Sequence, residues 1–414
     1  MIPKKVNKIS KKNNILVVPL DWGLGHATRC IPLIKEFEAN GCGVIIAAEK
    51  ATESLLKHEF QHLTFIPLKG YRISYSRKRY WLPLKIISQI PRILLGIYKE
   101  HKWLKKVLKK YSINAVIADN RFGLYHSGIP SIYITHQLLI KTGSYFSERI
   151  VQKIHFWFIK KYTSCWVPDF EGMENISGEL SHPSKRVHPN LTLAGGDTSQ
   201  GTPPWPVTTP ATATKGKLQF GMHTSKLPSN INYIGCLSRF EKKDGFEKKY
   251  DLLIILSGPE PQRTIFEEML LKQLQNYNGK SLLVRGLPGI DENEEQVFHA
   301  IAQVSHLIIK NHLPAGELNE AILQSKVVIS RSGYTTIMDL IKLKQKAILV
   351  PTPGQTEQEY LASHLMKQRF FYTTSQEGFV LPQALKQAND FPFAIPSFDM
   401  DQYKKAVFQF VQSL

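Results

Sequence analysis

The residues best suited to chemistry cluster in loops that each follow a buried apolar run. In segment 327–340 an apolar stretch ends in Arg331-Ser332-Gly333-Tyr334-Thr335-Thr336 and runs on to Asp339. It reads as a strand, a tight Ser/Gly turn and a helix opening on two threonines. Backbone N–H groups left free at a helix start, with the positive end of the helix dipole, favour a bound phosphate. Ser332, Gly333, Thr335 and Thr336 would form that cradle. Segment 351–362 follows within one βα unit and brings Glu357 and Gln358, polar groups that could read a sugar, although spacing alone favours polar residues opening a solvent-facing helix. A third loop, Ser257-Gly258-Pro259-Glu260-Pro261-Gln262-Arg263, could add Ser257 and the Gly258 backbone to a diphosphate site, with Arg263 neutralising one charge. Read locally, the same loop is a capped βα turn with a solvated arginine. Thr336 and Asp339 also fit a helix capping box that needs no ligand. The functional alternative has Asp339 accepting ribose hydroxyls. Together the loops point to a nucleotide-sugar site.

A second kind of chemistry lies near the N-terminus, in Asp21-Trp22-Gly23-Leu24-Gly25-His26-Ala27-Thr28-Arg29. Gly23 and Gly25 let the chain turn tightly and approach a ligand. His26 would sit at a helix start, where the dipole disfavours imidazolium and leaves a neutral ring able to accept a proton. The competing reading is a βα turn with His26 capping the helix. A full GxGxxG fingerprint is absent because residue 28 is Thr, which weakens a dinucleotide reading. Asp119 ends an apolar run before Asn120-Arg121-Phe122-Gly123 and could orient His26 as the acid of a triad does, or simply open a turn. His136 also ends a strand pattern and is a second candidate base or an acceptor contact.

These loops need strands to hold them. Candidate strands fall at 15–20, 43–49, 63–68, 115–120, 131–136 and 165–169, and again at 252–258, 280–286, 306–310, 327–330, 347–351 and 370–374, with a further short one at 231–237. Most are nearly continuous apolar runs alternating with helical patterns, as parallel strands covered on both faces require. At 414 residues the chain can hold two such units. The expected fold is α/β, two doubly wound Rossmann-like domains facing across a cleft. The reading gives an N-terminal domain over 13–240, a C-terminal domain over 241–396 and a closing helix over 397–414. Segment 195–217, rich in Thr, Pro and Gly, reads as a loop insertion.

Composition narrows the partners. A net charge of +19 suits nucleic acid, an anionic membrane or phosphorylated substrates. The four cysteines form no CxxC pair, so neither a zinc site nor a redox motif is expected, and reduced thiols in the cytoplasm fit. No run is apolar enough to span a bilayer, and residues 1–14 do not read as a secretory signal. Stretch 69–110 interleaves thirteen Lys and Arg with Tyr71, Tyr80, Trp81, Leu94, Leu95, Tyr98 and Trp103, and only Glu100 opposes them. It describes an interfacial amphipathic surface for anionic lipid or a lipid-diphosphate acceptor, or else a helix pair with its apolar stripe in the core. Residues 154–159 could extend it. No RNA-binding signature accompanies the charge, so nucleic acid is not expected.

These loops, in this order, resemble GT-B fold glycosyltransferases of the family 28 type, which include the bacterial transferase that adds N-acetylglucosamine to lipid I, and are similar to the UDP-glucosyl- and glucuronosyltransferases. The resemblance spans most of both domains and leaves out 195–217. It places Gly23-Leu24-Gly25-His26 on the family's N-terminal glycine loop, His26 on its base and Asp119 on the orienting acid. Ser257-Gly258 fall on the loop that opens the donor domain, and Arg331-Ser332-Gly333 with Thr335-Thr336 on the diphosphate loop. Asp339 falls on the ribose-holding acid, commonly Glu, and Glu357-Gln358 on the pair that contacts the donor sugar. The base would rest near 312–316. Pro259-Glu260-Pro261, Asp at 339 and Glu at 357 depart from the usual pattern.

The resemblance implies inverting transfer of a hexose-type sugar (GlcNAc, glucose or glucuronate-like) from a UDP-linked donor. The acceptor would be a hydroxyl of a lipid-linked or cell-envelope glycan, with no metal and no cofactor. Asp399-Met400-Asp401 is a DxD, but it sits beside the terminal helix and reads as capping. The expected location is cytoplasmic, on the inner face of the cell membrane if peripheral. Two alternatives stand beside this: a sugar-nucleotide epimerase or hydrolase of the same fold, and a non-enzymatic basic anion-binding protein.

Overall fold

The computed structural model describes residues 13–21, 23–71, 82–141, 145–172, 174–183, 227–287 and 306–414. The Thr/Pro-rich insertion at 195–217 and part of the basic stretch, 72–81, lie outside the described residues.

The first half contains β1 (Asn14–Val18), α1 (Leu24–Ala39), β2 (Gly43–Ala48), α2 (Lys50–Glu59), β3 (Thr64–Pro67), α3 (Leu82–Lys110), β4 (Ala115–Asp119), β5 (Ser131–Ile134), α4 (Tyr145–Ile159), β6 (Ser164–Val167) and β7 (Ile231–Tyr233). The second half contains β8 (Tyr250–Ile255), α5 (Gln262–Leu274), β9 (Ser281–Val284), β10 (Leu307–Lys310), α6 (Ala315–Leu323), β11 (Ser325–Ser330), α7 (Tyr334–Lys342), β12 (Ala347–Leu349), α8 (Thr356–Lys367), β13 (Tyr372–Thr373), α9 (Leu381–Asp390) and α10 (Gln402–Gln412).

The strands form two separate parallel sheets. The first has the order β3-β2-β1-β4-β5-β6-β7 and the second β10-β9-β8-β11-β12-β13. Both are doubly wound, so in each the strand order reverses beside the first strand of the half. Helices cover both faces, which explains why the centres of β1, β4 and β11 read as apolar: Ile15, Leu16 and Val17 point to alternate faces yet are all fully buried. The reversal leaves a crevice beyond the carboxyl ends of β1 and β4, and of β8 and β11. Three of the four loops that could do chemistry therefore start from central strands.

The strands lie where the sequence places them, shortened by a residue or more at most ends. The closing helix is shorter than expected and starts at Gln402. Asp401 stands at its N-cap position but makes no side-chain capping bond; its carboxylate pairs with Lys342 (3.5 Å) and Lys404 (3.1 Å). The helix crosses back to the first half, where Phe410 meets the edges of Phe37 and Trp166 at centroid distances of 6.3 and 5.5 Å. Aromatic burial thus pins the C-terminus against α1, the helix that carries His26.

Candidate functional site

β1 ends at Val18, and the chain turns at Gly23, whose φ of +86° disfavours any side chain, to begin α1 at Leu24. His26 lies in the first turn of that helix. β4 neighbours β1 and ends on Asp119; β5 neighbours β4 and ends just before Thr135 and His136. Adjacent strand ends therefore deliver the three side chains to one place. His26 Nδ1 lies 2.9 Å from Asp119 Oδ2, and Asp119 is fully buried. The dyad expected from the sequence is assembled.

Arg29 joins it. One helical turn after His26 and on the same face, its Nε donates to both Asp119 oxygens at 3.0 Å and its NH2 to Asp119 Oδ1. NH2 also stands 2.8 Å from His26 Nδ1, and NH1 3.2 Å from His136 Nδ1. Sequence reasoning missed Arg29 as a site residue, although the i, i+3 spacing from His26 carried the signal. The electrostatics follow. Burial and then the Arg29 charge hold the His26 pKa below its ordinary value against the pull of Asp119. The neutral ring was expected from the helix dipole; its main causes here are desolvation and a neighbouring cation. Burial alone would raise the Asp119 carboxyl, but Arg29 and His26 outweigh it and hold it low.

The other side of the cleft is built by the loops after β8, β11 and β12, which are neighbours in the second sheet. Ser257 and Gly258 are exposed. α7 starts at Tyr334 with Gly333 as its N-cap and no side-chain cap, so its first-turn N–H groups lack helical partners. Gly333, Thr335 and Thr336 are half-buried around them. The side chains are more committed than the sequence suggests. Ser332 is fully buried and donates to Gln358 O (2.9 Å). Gln358 Oε1 accepts from Thr352 N (2.9 Å) while its Nε2 donates to Gln355 Oε1 (2.5 Å). Both fix the shape of the loops. Arg263 is buried in ion pairs with Glu260 (2.6 Å) and Glu267 (2.9 Å), so its charge is already matched and it is not the solvated arginine of the local reading.

Asp339 is buried on the second turn of α7, where its Oδ1 accepts from Ser238 Oγ at 2.6 Å. It is too far into the helix to complete a capping box with Thr336. Burial pushes its pKa up to about 6, opposed by the nearby Arg239. Burial, and then the Arg239 charge, hold the pKa of His312, near the position expected for the nucleotide base, below its ordinary value.

The two halves touch at this site. Thr335 Oγ1 donates to Gly25 O (3.0 Å), and a Cβ on Gly25 would meet that hydroxyl at 3.2 Å. The Tyr334 ring stacks on His136 at 4.1 Å, and His136 Nε2 lies 2.6 Å from Glu357 Oε1. Glu357 therefore faces the first domain rather than solvent alone. Burial would raise its pKa, but His136 and then Arg29 hold it below the usual carboxylate range. Among the described residues no group of three or more His, Cys, Asp or Glu is placed to hold a metal ion.

Residues 268–390 match the model of the glycosyltransferase family 28 C-terminal domain, a stretch that includes Ser332 to Asp339 and Glu357-Gln358. No curated protein sequence matches the chain. Solved structures similar to it include MurG from Acinetobacter baumannii, with 14% identity and a TM-score of 0.51 over 98% of this chain and 100% of that one. The spinosyn rhamnosyltransferase SpnG matches with 13% identity and a TM-score of 0.55 over 96% and 100%. S. aureus MnaA, solved with UDP, matches with 10% identity and a TM-score of 0.56 over 97% of each chain. At such identities the structures establish the shared fold, and the family model supplies the enzyme class. The protein is a glycosyltransferase of the GT-B fold, with residues 268–390 similar to the family 28 C-terminal domain.

Proposed function

We propose that the protein transfers a hexose-type sugar from a UDP-linked donor to a hydroxyl of a lipid-linked or cell-envelope glycan, with inversion and without a metal. The observation that carries this reading is the His26–Asp119 pair at 2.9 Å, brought against the uncapped helix start at Gly333–Thr336 where Thr335 meets Gly25. His26 removes the acceptor proton through Nε2, and Asp119 stabilises the imidazolium. The acceptor oxygen then attacks the anomeric carbon as its bond to the diphosphate breaks. The first-turn amides of α7 and the Ser257–Gly258 loop meet the charge that builds on the departing diphosphate. Asp339 holds the ribose, and Glu357 lies at the donor sugar on a loop whose shape Gln358 fixes.

The lipid part of the proposal rests on α3 and α4. Leu94, Leu95 and Tyr98 on α3 and Ile150, Ile154 and Trp157 on α4 are each 45–56% exposed. Ile97 and Phe158 place the two helices in one apolar cluster, and exposed Lys99, Lys102, Lys106 and Lys153 surround the face. Such a face suits an anionic lipid surface. Among the described residues no helix is long and apolar enough to cross a membrane.

A thermal-shift series with UDP, UDP-sugars and other polyanions tests the donor site. UDP compounds should stabilise the chain, and Asp339→Ala should weaken that response. Equal stabilisation by every polyanion would count against a specific site. Incubation with a UDP-sugar and no acceptor separates the nearest alternative, since rapid release of an epimer or free sugar would make the protein an epimerase or hydrolase.

A further inference from the structure

His26 Nδ1 faces two neighbours that make opposite demands. Asp119 Oδ2, at 2.9 Å, can only accept, so it requires a proton on Nδ1. Arg29 NH2, at 2.8 Å, can only donate, so it requires Nδ1 to be bare. A neutral imidazole carries one proton. On Nδ1 it leaves Nε2 free to act as a base; on Nε2 it disables the atom that faces the acceptor. Among the described residues Nε2 has no hydrogen-bond partner, and the side chain keeps 15% of its surface exposed. Which neighbour wins at Nδ1 therefore decides whether the ring can work.

The hydrogens on Arg29 govern the competition. One NH2 hydrogen goes to Asp119 Oδ1 and the other needs an acceptor. The amide of Asn120 satisfies both of its ends in one orientation: Nδ2 donates to Thr135 Oγ1 (2.9 Å) and Ile134 O (3.2 Å), and Oδ1 accepts from Arg29 NH2 (3.2 Å). The second NH2 hydrogen then lies between two acceptors, His26 Nδ1 at 2.8 Å and Asn120 Oδ1 at 3.2 Å, and the more of it the amide takes, the freer the Nδ1 proton is to bind Asp119. Without Asn120 Oδ1, the acceptor left for that hydrogen is His26 Nδ1. We infer that Asn120 is a positioning residue that takes the second Arg29 hydrogen and so holds His26 in the tautomer with a bare Nε2. This rests on His26 being the base. In the step itself the acceptor hydroxyl proton moves to Nε2, the Nδ1 proton stays on the bond to Asp119, and the freed oxygen pair forms the new glycosidic bond as the anomeric carbon's bond to the diphosphate breaks and UDP leaves with that electron pair.

Asn120 has a φ of +51°, so glycine is the substitution that keeps its backbone while removing the amide. Nitrogen-15 NMR of histidine-labelled full-length protein at pH 8 reports which ring nitrogen is protonated, and the His26 signal is assigned by its loss in His26→Gln. The expected wild-type pattern is protonated Nδ1. In Asn120→Gly the pattern should shift toward protonated Nε2. Release of UDP from UDP-N-acetylglucosamine should fall about tenfold with KM unchanged, as expected when only about a tenth of the molecules hold the competent ring. The stabilisation by UDP should persist.

Asn120→Asp keeps an acceptor and should restore the rate. Its added charge joins Asp119 and Glu357, against Arg29, among the groups facing His26, with His136 beside them. It favours imidazolium and should move the rise of rate with pH to higher pH. An unchanged tautomer in Asn120→Gly, or equal loss of rate in both variants, would overturn the inference. Full activity in His26→Ala would overturn the base reading beneath it, while the NMR signal would still report where the proton sits.

Discussion

The two walls of the cleft use different parts of the polypeptide. On the first, side chains from three neighbouring strand ends converge: His26 bonds Asp119, and Arg29 lies within 3.2 Å of His26, Asp119 and His136. On the second, the side chains of Ser332 and Gln358 turn inward to bond their own loops, and backbone amides are what remain open. The difference matches two tasks. Moving a proton needs a group whose pKa can be set, which only a side chain offers. Stabilising a departing diphosphate needs donors that are already oriented, which a helix start supplies without titrating. Substitutions should therefore separate the walls: changes on the first should alter turnover, and changes on the second should alter donor binding.

The largest effect expected is on turnover at His26. His26→Ala should lower kcat by about 10³-fold, within the range for loss of a general base, while stabilisation by UDP stays as in wild type. Equal loss of UDP binding would show that the walls do not divide the work. Arg29→Met comes next and acts on both stability and pH. Removing one partner of a buried ion pair should cost about 3 kcal/mol, read by denaturant unfolding. Arg29 is also the second cause, after burial, of the low His26 pKa, while Asp119 pulls the other way. Without Arg29 that pull is less opposed, so the pKa rises. The neutral base then forms at higher pH, and the acid limb of kcat/KM should shift in the alkaline direction. An unmoved limb would mean that another group sets the profile.

What the sequence made legible follows the same division. Apolar runs gave the thirteen strands of the described residues, most plainly the central ones, because parallel strands buried on both faces leave an unbroken signal, whereas the edge strands β3 and β7 are only partly buried. The pairing of His26 with Asp119 was readable because both stand at strand ends of a doubly wound sheet. Arg29 and Asn120 were seen only as letters of a loop. Their roles depend on which hydrogen reaches which acceptor, and that is fixed by tertiary geometry. The inward turn of Ser332 and the burial of Arg263 between Glu260 and Glu267 were hidden for a related reason. A polar residue in a glycine-containing loop looks available to a ligand until its local partners are known.

On the second wall, Ser332→Ala removes one buried hydrogen bond between two loops. It should cost about 1 kcal/mol and weaken UDP binding by about fivefold, with kcat close to wild type. A fall in kcat with unchanged UDP binding would instead place Ser332 in the chemical step.

The smallest effect tests the point where the walls meet. Glu357 belongs to the donor domain, yet its carboxylate lies 2.6 Å from His136 of the first. Two roles make different forecasts. A latch that only closes the cleft would hold UDP and a UDP-sugar equally, because closure is common to both. A contact to donor sugar hydroxyls would act on the UDP-sugar alone. His136 is buried but Glu357 keeps 34% of its side chain exposed, so solvent screens the pair to about 1 kcal/mol and neither role permits a large change. The expected outcome for Glu357→Ala is a loss of about threefold to fivefold in affinity for the UDP-sugar and none for UDP, measured by calorimetry with both. Equal losses would assign Glu357 to the latch, and the division between walls would then end one residue short of the sugar.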